Sequence, residues 1–554
     1  MAVVALVVRA LHLIATGDMP FVLNPVGDGR GYLDWAARIA SGKWFGTEPF
    51  YQAPLYPYVL AALRKVFGAE VGGVRVAQAA GGATASVAVA WAGARLFDRR
   101  VGLVAGVMLG LYAPAIFYDG IVQKTCLTGL LTAGCLALVA EHGYSRRVYT
   151  AALLGLCAAL LALTRENALA WLLLFAVWIA TVPAAGGGKR SWRALLAYGL
   201  CAGLPLAAVS ARNASLGGTW SPTTYQSGSN FYIGNGAEAD GLYRPLVKGH
   251  ETPEFERDDA VRLAEQAEGR SLAPGEVSSY WWRRSREEIS AAPGRWFALL
   301  GRKLLITLGA YEVPDVESLE VYGEFSPLLS AVSRLWHFGI LLPLAGVGLV
   351  LSASRRRVLW PVYAMVVVMV AAVAAFFVLG RYRYPLVGPL IVFSAAGVVG
   401  VVDAARAGGL RRVVWPVVVA LVAAVVANWP VLDRAKLGAM AYMNLGVAMA
   451  QRGEEHLPDA TRYLRAAADG HPGSPEAQFN LGQALAISGD VRGAIERFRA
   501  ALALRPDLVG VDFFLGQLLE QVGDREGALR HYRRAVELDP RDAEARAGVG
   551  RMGG

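Results

Sequence analysis

The stretch IVQKTCLTGLLTAGCLALVAEHGYSRRVYTAALLGLCAALLALTRENALAWLLLFAVWIATVPA, residues 121–184, alternates three long apolar runs with two short polar breaks. One break holds Arg146 and Arg147, the other Arg165 and Glu166. About 20 apolar helical residues cross the roughly 30 Å of hydrocarbon in a bilayer, and the three runs come near that length. Working outward, comparable runs lie at 2–17, 72–96, 101–117, 193–210, 331–352, 358–379, 384–402 and 412–428, which brings the number to about eleven. The whole chain agrees: 55% of its 554 residues are hydrophobic and 18% charged, with a mean hydropathy of +0.39. That is too apolar for a soluble protein of this size. The expected fold is all-α, a polytopic helical membrane domain over residues 1–430 with about eleven transmembrane helices.

The net charge of +10 would suggest nucleic acid in a soluble protein, but much of the basic charge lies in short loops, so no nucleic acid is expected. Arg95/Arg99/Arg100, Arg146/Arg147, Lys189/Arg190/Arg193, Arg355/Arg356/Arg357 and Arg406/Arg411/Arg412 share one side if the runs alternate. By the positive-inside rule that side is cytoplasmic. The loops 18–71 and 211–330 then lie outside, and so does everything after Asn428. RWFALLGRKLLITLGAYEVP (295–314) is interrupted by Arg302 and Lys303 and is expected to lie in the interface; if it spans, the tail moves inside. The N-terminal run has no basic leader region and no small-residue cleavage site, so it is expected to be a retained helix. All four cysteines fall in apolar runs, which argues against a disulfide framework or a cysteine-ligated metal.

The tail repeats. Asn444-Leu445-Gly446 recurs as Asn480-Leu481-Gly482 and Phe514-Leu515-Gly516, followed by Gly453, Gly489 and Gly523 and by Pro472, Pro506 and Pro540 at a period of 34. This resembles the tetratricopeptide repeat, a 34-residue helix pair, with about three repeats over 436–554 and an insertion, EEHLP, in the first. Such a solenoid suits the docking of a protein partner or acceptor.

The outer connections should be poor in basic residues, yet they hold Lys124, Arg165, Arg381 and Arg383. Snorkelling to the headgroups is one explanation. Four cations from separate connections, on the same face as Asp28, instead suggest an anion site, and a lipid phosphate is the anion at that depth.

The first outer loop, PVGDGRGYLDWAARIASGKWFGTEPFYQAPLYPYVLAALRKVFG (25–68), resembles the glycosyltransferases of the GT-C superfold. Within that group it is similar to family 39 and its bacterial relatives, which transfer sugars from polyprenyl phosphate. YDGIVQKT (118–125), LTRENAL (163–169), NFYIGN (230–235) and RYRYP (381–385) sit where relatives carry comparable motifs, and the resemblance covers roughly residues 1–400. It implies Asp28 as the catalytic base toward an acceptor hydroxyl, with Asp119 as a supporting acid. It also implies a donor-phosphate site drawn from Lys124, Arg165, Arg381 and Arg383, substrate contacts at Tyr51, Gln52, Asn230, Tyr232 and Tyr382, and inversion at the anomeric carbon. The sequence departs from many relatives in having Gly29 after the acid and Gln52-Ala53, with no lysine, before the proline turn. The phosphate contact of that lysine must come from Lys124, Arg165 or Arg381.

Each residue has a competing explanation. Asp28 and Asp119 could cap helices, Asp34 suits a solvated helix face, Arg165 and Glu166 could be an ion pair, and the tyrosines of RYRYP fit an aromatic belt. Phosphate-binding loops, dinucleotide fingerprints, HExxH and paired Cys/His spacings are absent from the sequence. No cofactor and no divalent metal are expected. The expected function is a membrane glycosyltransferase using a polyprenyl-phosphate sugar donor at the outer surface of a bacterial inner (cytoplasmic) membrane, among membrane lipids and with an extracytoplasmic tail. The alternative is a transporter or lipid-phosphate-binding protein without chemistry, although no inverted repeat of broken helices is visible.

Overall fold

The computed structural model describes residues 1–68, 70–181, 192–250, 253–407 and 413–553, and among these every regular element is helical. Lys189, Arg190, Arg411 and Arg412, four of the expected cytoplasmic cations, lie outside the described residues. The chain divides into two compact units: residues 1–18, 25–313 and 322–432 in one, and 19–24, 314–321 and 433–554 in the other.

In the first unit each of the eleven apolar runs lies mainly on helix among the described residues. Five of these helices are long and apolar enough to cross a membrane: Thr125–Ser145, Trp192–Ser215, Pro327–Leu351, Ala353–Ala375 and Gly380–Arg406. Arg99–Gly110 and Ala113–Gly120 form a sixth span if their 51° bend is allowed, and Val148–Ala162, Glu166–Thr181 and Val414–Ala427 are apolar but shorter. Val71–Leu96 has the length, but Gly, Ala, Thr and Ser dilute its apolarity. Gly27–Ala40 follows the first apolar helix and carries Asp28, Arg30, Asp34 and Arg38 in 14 residues, so it suits the membrane surface and not the hydrocarbon. Many apolar side chains face outward, Leu421 at 62% exposure and Leu204 at 69% among them. A soluble protein could not carry such a surface, whereas lipid accepts it. The chain is a membrane protein.

Backbone proximity fixes the bundle. A side chain at Gly348 would put its Cβ 1.8 Å from the Phe393 carbonyl oxygen, and one at Gly155 would lie 2.3 Å from that of Tyr198. Helices in lipid gain little from apolar burial and associate through such close contacts between small residues. The stretch Val387–Gly397 is buried at every position and forms the centre of the bundle. Pro293–Leu308 is not among the candidate spans. Its Lys303 is wholly buried, with Nζ donating to the Gly234 and Phe376 carbonyls (3.1 and 2.8 Å) and to Asn235 Oδ1 (2.9 Å).

In the second unit, helices Arg434–Ala450, Leu457–Gly470, Pro475–Ile487, Val491–Leu504, Val511–Gln521 and Arg525–Leu538 form three pairs, and Ala543–Gly553 follows. The repeated glycines serve two purposes. Gly453, Gly489 and Gly523 have φ of +118°, +83° and +82°, a conformation that side chains resist, and they turn each pair. Gly446, Gly482 and Gly516 lie against Leu464, Phe498 and Tyr532, where a Cβ would come within 2.7, 2.6 and 2.9 Å. Asp490 and Asp524 cap the second helices by accepting from Gly493 N (3.0 Å) and Gly527 N (2.9 Å). Gly482→Val is therefore expected to cost about 1–3 kcal/mol by overpacking against Phe498. Thermal unfolding of the variant, followed by the helical signal of the tail, measures this; an unchanged midpoint would refute the close-approach account.

Candidate functional site

The turn into helix Gly27–Ala40 needs the positive φ of Gly27 (+53°). At Gly29 a Cβ would lie 3.1 Å from the Val122 carbonyl, so this helix start rests against the backbone just before Lys124. Val26 occupies the N-cap position and no side-chain cap bond is made. The Asp28 carboxylate turns to other partners. Oδ2 accepts from Arg381 Nη1 at 2.5 Å and Oδ1 from Gln52 Nε2 at 3.3 Å. Both members of this pair are nearly buried, at 11% and 12% exposure. Burial alone would raise the Asp28 pKa, but the Arg381 guanidinium, followed by Lys124 and the Gln52 hydrogen bond, draws it below the usual carboxylate value.

Two further cations share this field. Lys124, at the head of helix Thr125–Ser145, is buried and forms no ion pair among the described residues, and its charge interacts with Asp28, Arg165, Glu166 and Arg381. Arg165 is buried at 3% exposure, with Nε and Nη2 lacking hydrogen-bond partners, and its guanidinium lies 4.8 Å from the Tyr382 ring centre. Arg381 approaches the same ring at 5.4 Å. Glu166 accepts from Thr224 Oγ1 and Gln226 Nε2, each at 3.2 Å, and does not close a pair with Arg165. Tyr32, one helical turn after Asp28, is buried with its hydroxyl unpartnered amid the charges of Asp28, Arg381 and Arg165. Asp28, Lys124, Arg165 and Arg381, from four distant parts of the chain, thus converge.

The other expected residues have partners of their own. Asp119 is buried in an ion pair with Arg9, Nε to Oδ2 at 2.7 Å. Arg383 is anchored to Glu312 Oε2 (2.8 Å), to the Tyr311 and Thr307 carbonyls (2.9 and 3.2 Å) and to the Gly309 carbonyl, over the Phe338 ring. Tyr232 donates to Glu288 Oε1 (3.0 Å) and packs on Trp281. Asn230 forms part of helix Ser227–Asn235, its backbone N–H donating to the Gln226 carbonyl. Tyr51 donates to Glu256 Oε1 at 2.9 Å. Asp34 is 61% exposed beside Arg30, as a solvated face requires. No group of three or more metal-ligating side chains occurs among the described residues.

Residues 509–552 match the tetratricopeptide repeat family model. No curated protein matches the chain. Among solved structures, the oligosaccharyltransferase of Archaeoglobus fulgidus in its apo form is similar over 86% of this chain and 59% of its own, at 15% identity and a TM-score of 0.37. The same archaeal enzyme, AglB, in complex with an inhibitory peptide and a dolichol-phosphate, gives 15% identity, the same coverage and a TM-score of 0.35. This chain therefore spans about three-fifths of the archaeal enzyme's length. The TPR protein YrrB, described as having an unusual peptide-binding site, aligns with 42% of this chain and 98% of its own at 20% identity and a TM-score of 0.19.

Proposed function

We propose that the chain is an integral membrane glycosyltransferase of the GT-C type, moving a sugar from a polyprenyl-phosphate donor to an acceptor hydroxyl on the extracytoplasmic side. The observation that supports this most is the Asp28 carboxylate held against Arg381 at 2.5 Å, with Lys124 and Arg165 in the same field. Asp28 takes the acceptor's proton as the acceptor oxygen attacks the anomeric carbon. The bond from that carbon to the phosphate oxygen breaks, and its electron pair leaves with the phosphate. Arg381, Lys124 and the unpartnered N–H groups of Arg165 receive the departing charge. A phosphate oxygen competes with Asp28 for Arg381, so donor binding loosens the resting ion pair and exposes the base. Asp119, locked to Arg9, contributes by holding the segment that carries Lys124.

Purified protein with a labelled polyprenyl-phosphate sugar and a hydroxyl acceptor should release polyprenyl phosphate and label the acceptor. Tight binding of the lipid phosphate without either product would favour the non-catalytic alternative.

We place the protein in the inner membrane of a bacterium, with the repeats outside. Asn444 Nδ2 donates to the Val316 carbonyl at 3.1 Å, within the second unit, and Val316 belongs to the loop that the charge bias assigns to the exterior. The repeats dock a protein partner or acceptor. Removing residues 436–554 should leave sugar release intact and change the set of acceptors labelled; an unchanged set would dismiss docking.

A further inference from the structure

Four buried or nearly buried carboxylates of the first unit each have an arginine: Asp28 has Arg381, Asp119 has Arg9, Asp259 has Arg262 and Glu312 has Arg383. Glu256 does not. It lies in the first turn of helix Pro253–Glu268, in the outer loop, with no basic side chain in ion-pair range among the described residues. Its two oxygens are held by hydroxyl groups instead: Oε1 accepts from Tyr51 (2.9 Å) and Oε2 from Tyr243 (3.1 Å). Burial raises its pKa above the usual range, while the two tyrosine hydrogen bonds oppose the rise. The charges of Asp28 and Arg381 also act on it, which sets it beside the site already described. A carboxylate taken from water without a cation is costly, and such groups concentrate where a ligand is bound.

Two continuous paths join Glu256 to the cations. One is polar: Tyr51 bonds Glu256, and its neighbour Gln52 bonds Asp28, which bonds Arg381. The other is aromatic: Tyr243 contacts Phe377 (5.4 Å between ring centres), Phe377 contacts Tyr382 (5.4 Å), and Tyr382 lies under Arg165. Next along the helix, Arg257 turns away to pair with Glu48 at 3.0 Å. Each carboxylate oxygen accepts two hydrogen bonds, so two of about four acceptor positions on Glu256 are taken and two remain. A carboxylate that accepts from O–H groups, bordered by aromatic faces, matches the alternating hydroxyl edge and C–H face of a pyranose.

We propose that Glu256, with Tyr51 and Tyr243, forms a hydroxyl-reading subsite that holds a sugar ring beside Asp28. This rests on the transferase assignment above and extends it from the phosphate to the sugar. The ligand class is a pyranose with adjacent free hydroxyls, carried by the donor or by the acceptor. Glu256 is a positioning residue here and takes no proton. Because Tyr51 and Gln52 are consecutive, a sugar hydroxyl that displaces the Tyr51 hydroxyl also moves the group that holds Asp28, coupling occupancy of the subsite to the base.

Saturation-transfer NMR of the full purified protein with a panel of methyl pyranosides tests the subsite without requiring turnover. The wild type should bind at least one pyranoside, Glu256→Gln should weaken that binding at least tenfold, and Glu256→Asp should recover part of it. Tyr51→Phe should weaken it less. Binding of sugar-free polyprenyl phosphate should be the same in Glu256→Gln as in the wild type, which shows that the variant is folded. No pyranoside binding by the wild type, or equal binding by Glu256→Gln, would overturn the subsite, whatever the enzyme's activity. Pyranoside binding without any transfer would instead overturn the transferase assignment and leave the subsite standing. If a polyprenyl-phosphate sugar displaces the pyranoside where sugar-free polyprenyl phosphate does not, the donor's sugar occupies the subsite; if neither lipid displaces it, the acceptor's sugar does.

Discussion

Asp28→Asn is expected to lower sugar transfer at least a hundredfold, because a positioned general base contributes about 10²–10⁴ in rate and an amide cannot take the acceptor's proton. The substitution preserves shape, and the amide oxygen can still accept from Arg381. Donor binding should persist or tighten, since the Asp28 carboxylate no longer competes as an anion with the phosphate for Arg381. Transfer and polyprenyl-phosphate binding are therefore to be measured on the same preparation. Transfer within tenfold of the wild type would remove Asp28 as the base. Loss of both transfer and phosphate binding would recast it as a structural partner of Arg381.

The second large effect is structural. Arg9→Met is expected to destabilise the membrane unit by about 3–5 kcal/mol, because it strands the Asp119 carboxylate in a site with 3% exposure. Arg9 Nε holds Asp119, and its Nη1 also serves the Ala5 and Gly110 carbonyls at 3.1 and 3.0 Å. Arg9→Met combined with Asp119→Leu should recover most of the loss, since removing both charges leaves no unpaired ion. Unfolding midpoints in detergent for the two single variants and the double variant read the coupling directly. Equal destabilisation in Arg9→Met and the double variant would show that the pair is not its source. A stable double variant that still transfers sugar would also limit Asp119 to holding the segment in place.

Much of this is legible in the sequence. Eleven apolar runs became helices because a length of about 20 apolar residues has few other uses, and the 34-residue period announced helix pairs whose glycines are required by turn geometry and close approach. Lys124, Arg165 and Arg381 stood out because they contradict the charge bias of outer loops, and all three gather at Asp28. Arg383 carries the same signal and lies with Glu312, since sequence cannot tell which of two alternate residues in RYRYP faces Asp28. Glu256 was invisible because a glutamate in a polar loop is ordinary; its distinction is the pair of tyrosine hydroxyls that hold it, which only three-dimensional neighbours reveal. The Arg9 partnership was equally hidden, its two members being 110 residues apart.

That separation bears on how the protein is made. An arginine at the middle of a nascent apolar helix is disfavoured in lipid by roughly 2.5–3.5 kcal/mol, and its partner carboxylate is synthesised only 110 residues later. The helix Ala2–Ala15 therefore acquires the counter-ion of its arginine only once residue 119 has been made. Until then the guanidinium depends on the Ala5 carbonyl of its own helix, and the pair that ties this helix to the segment before Lys124 forms last.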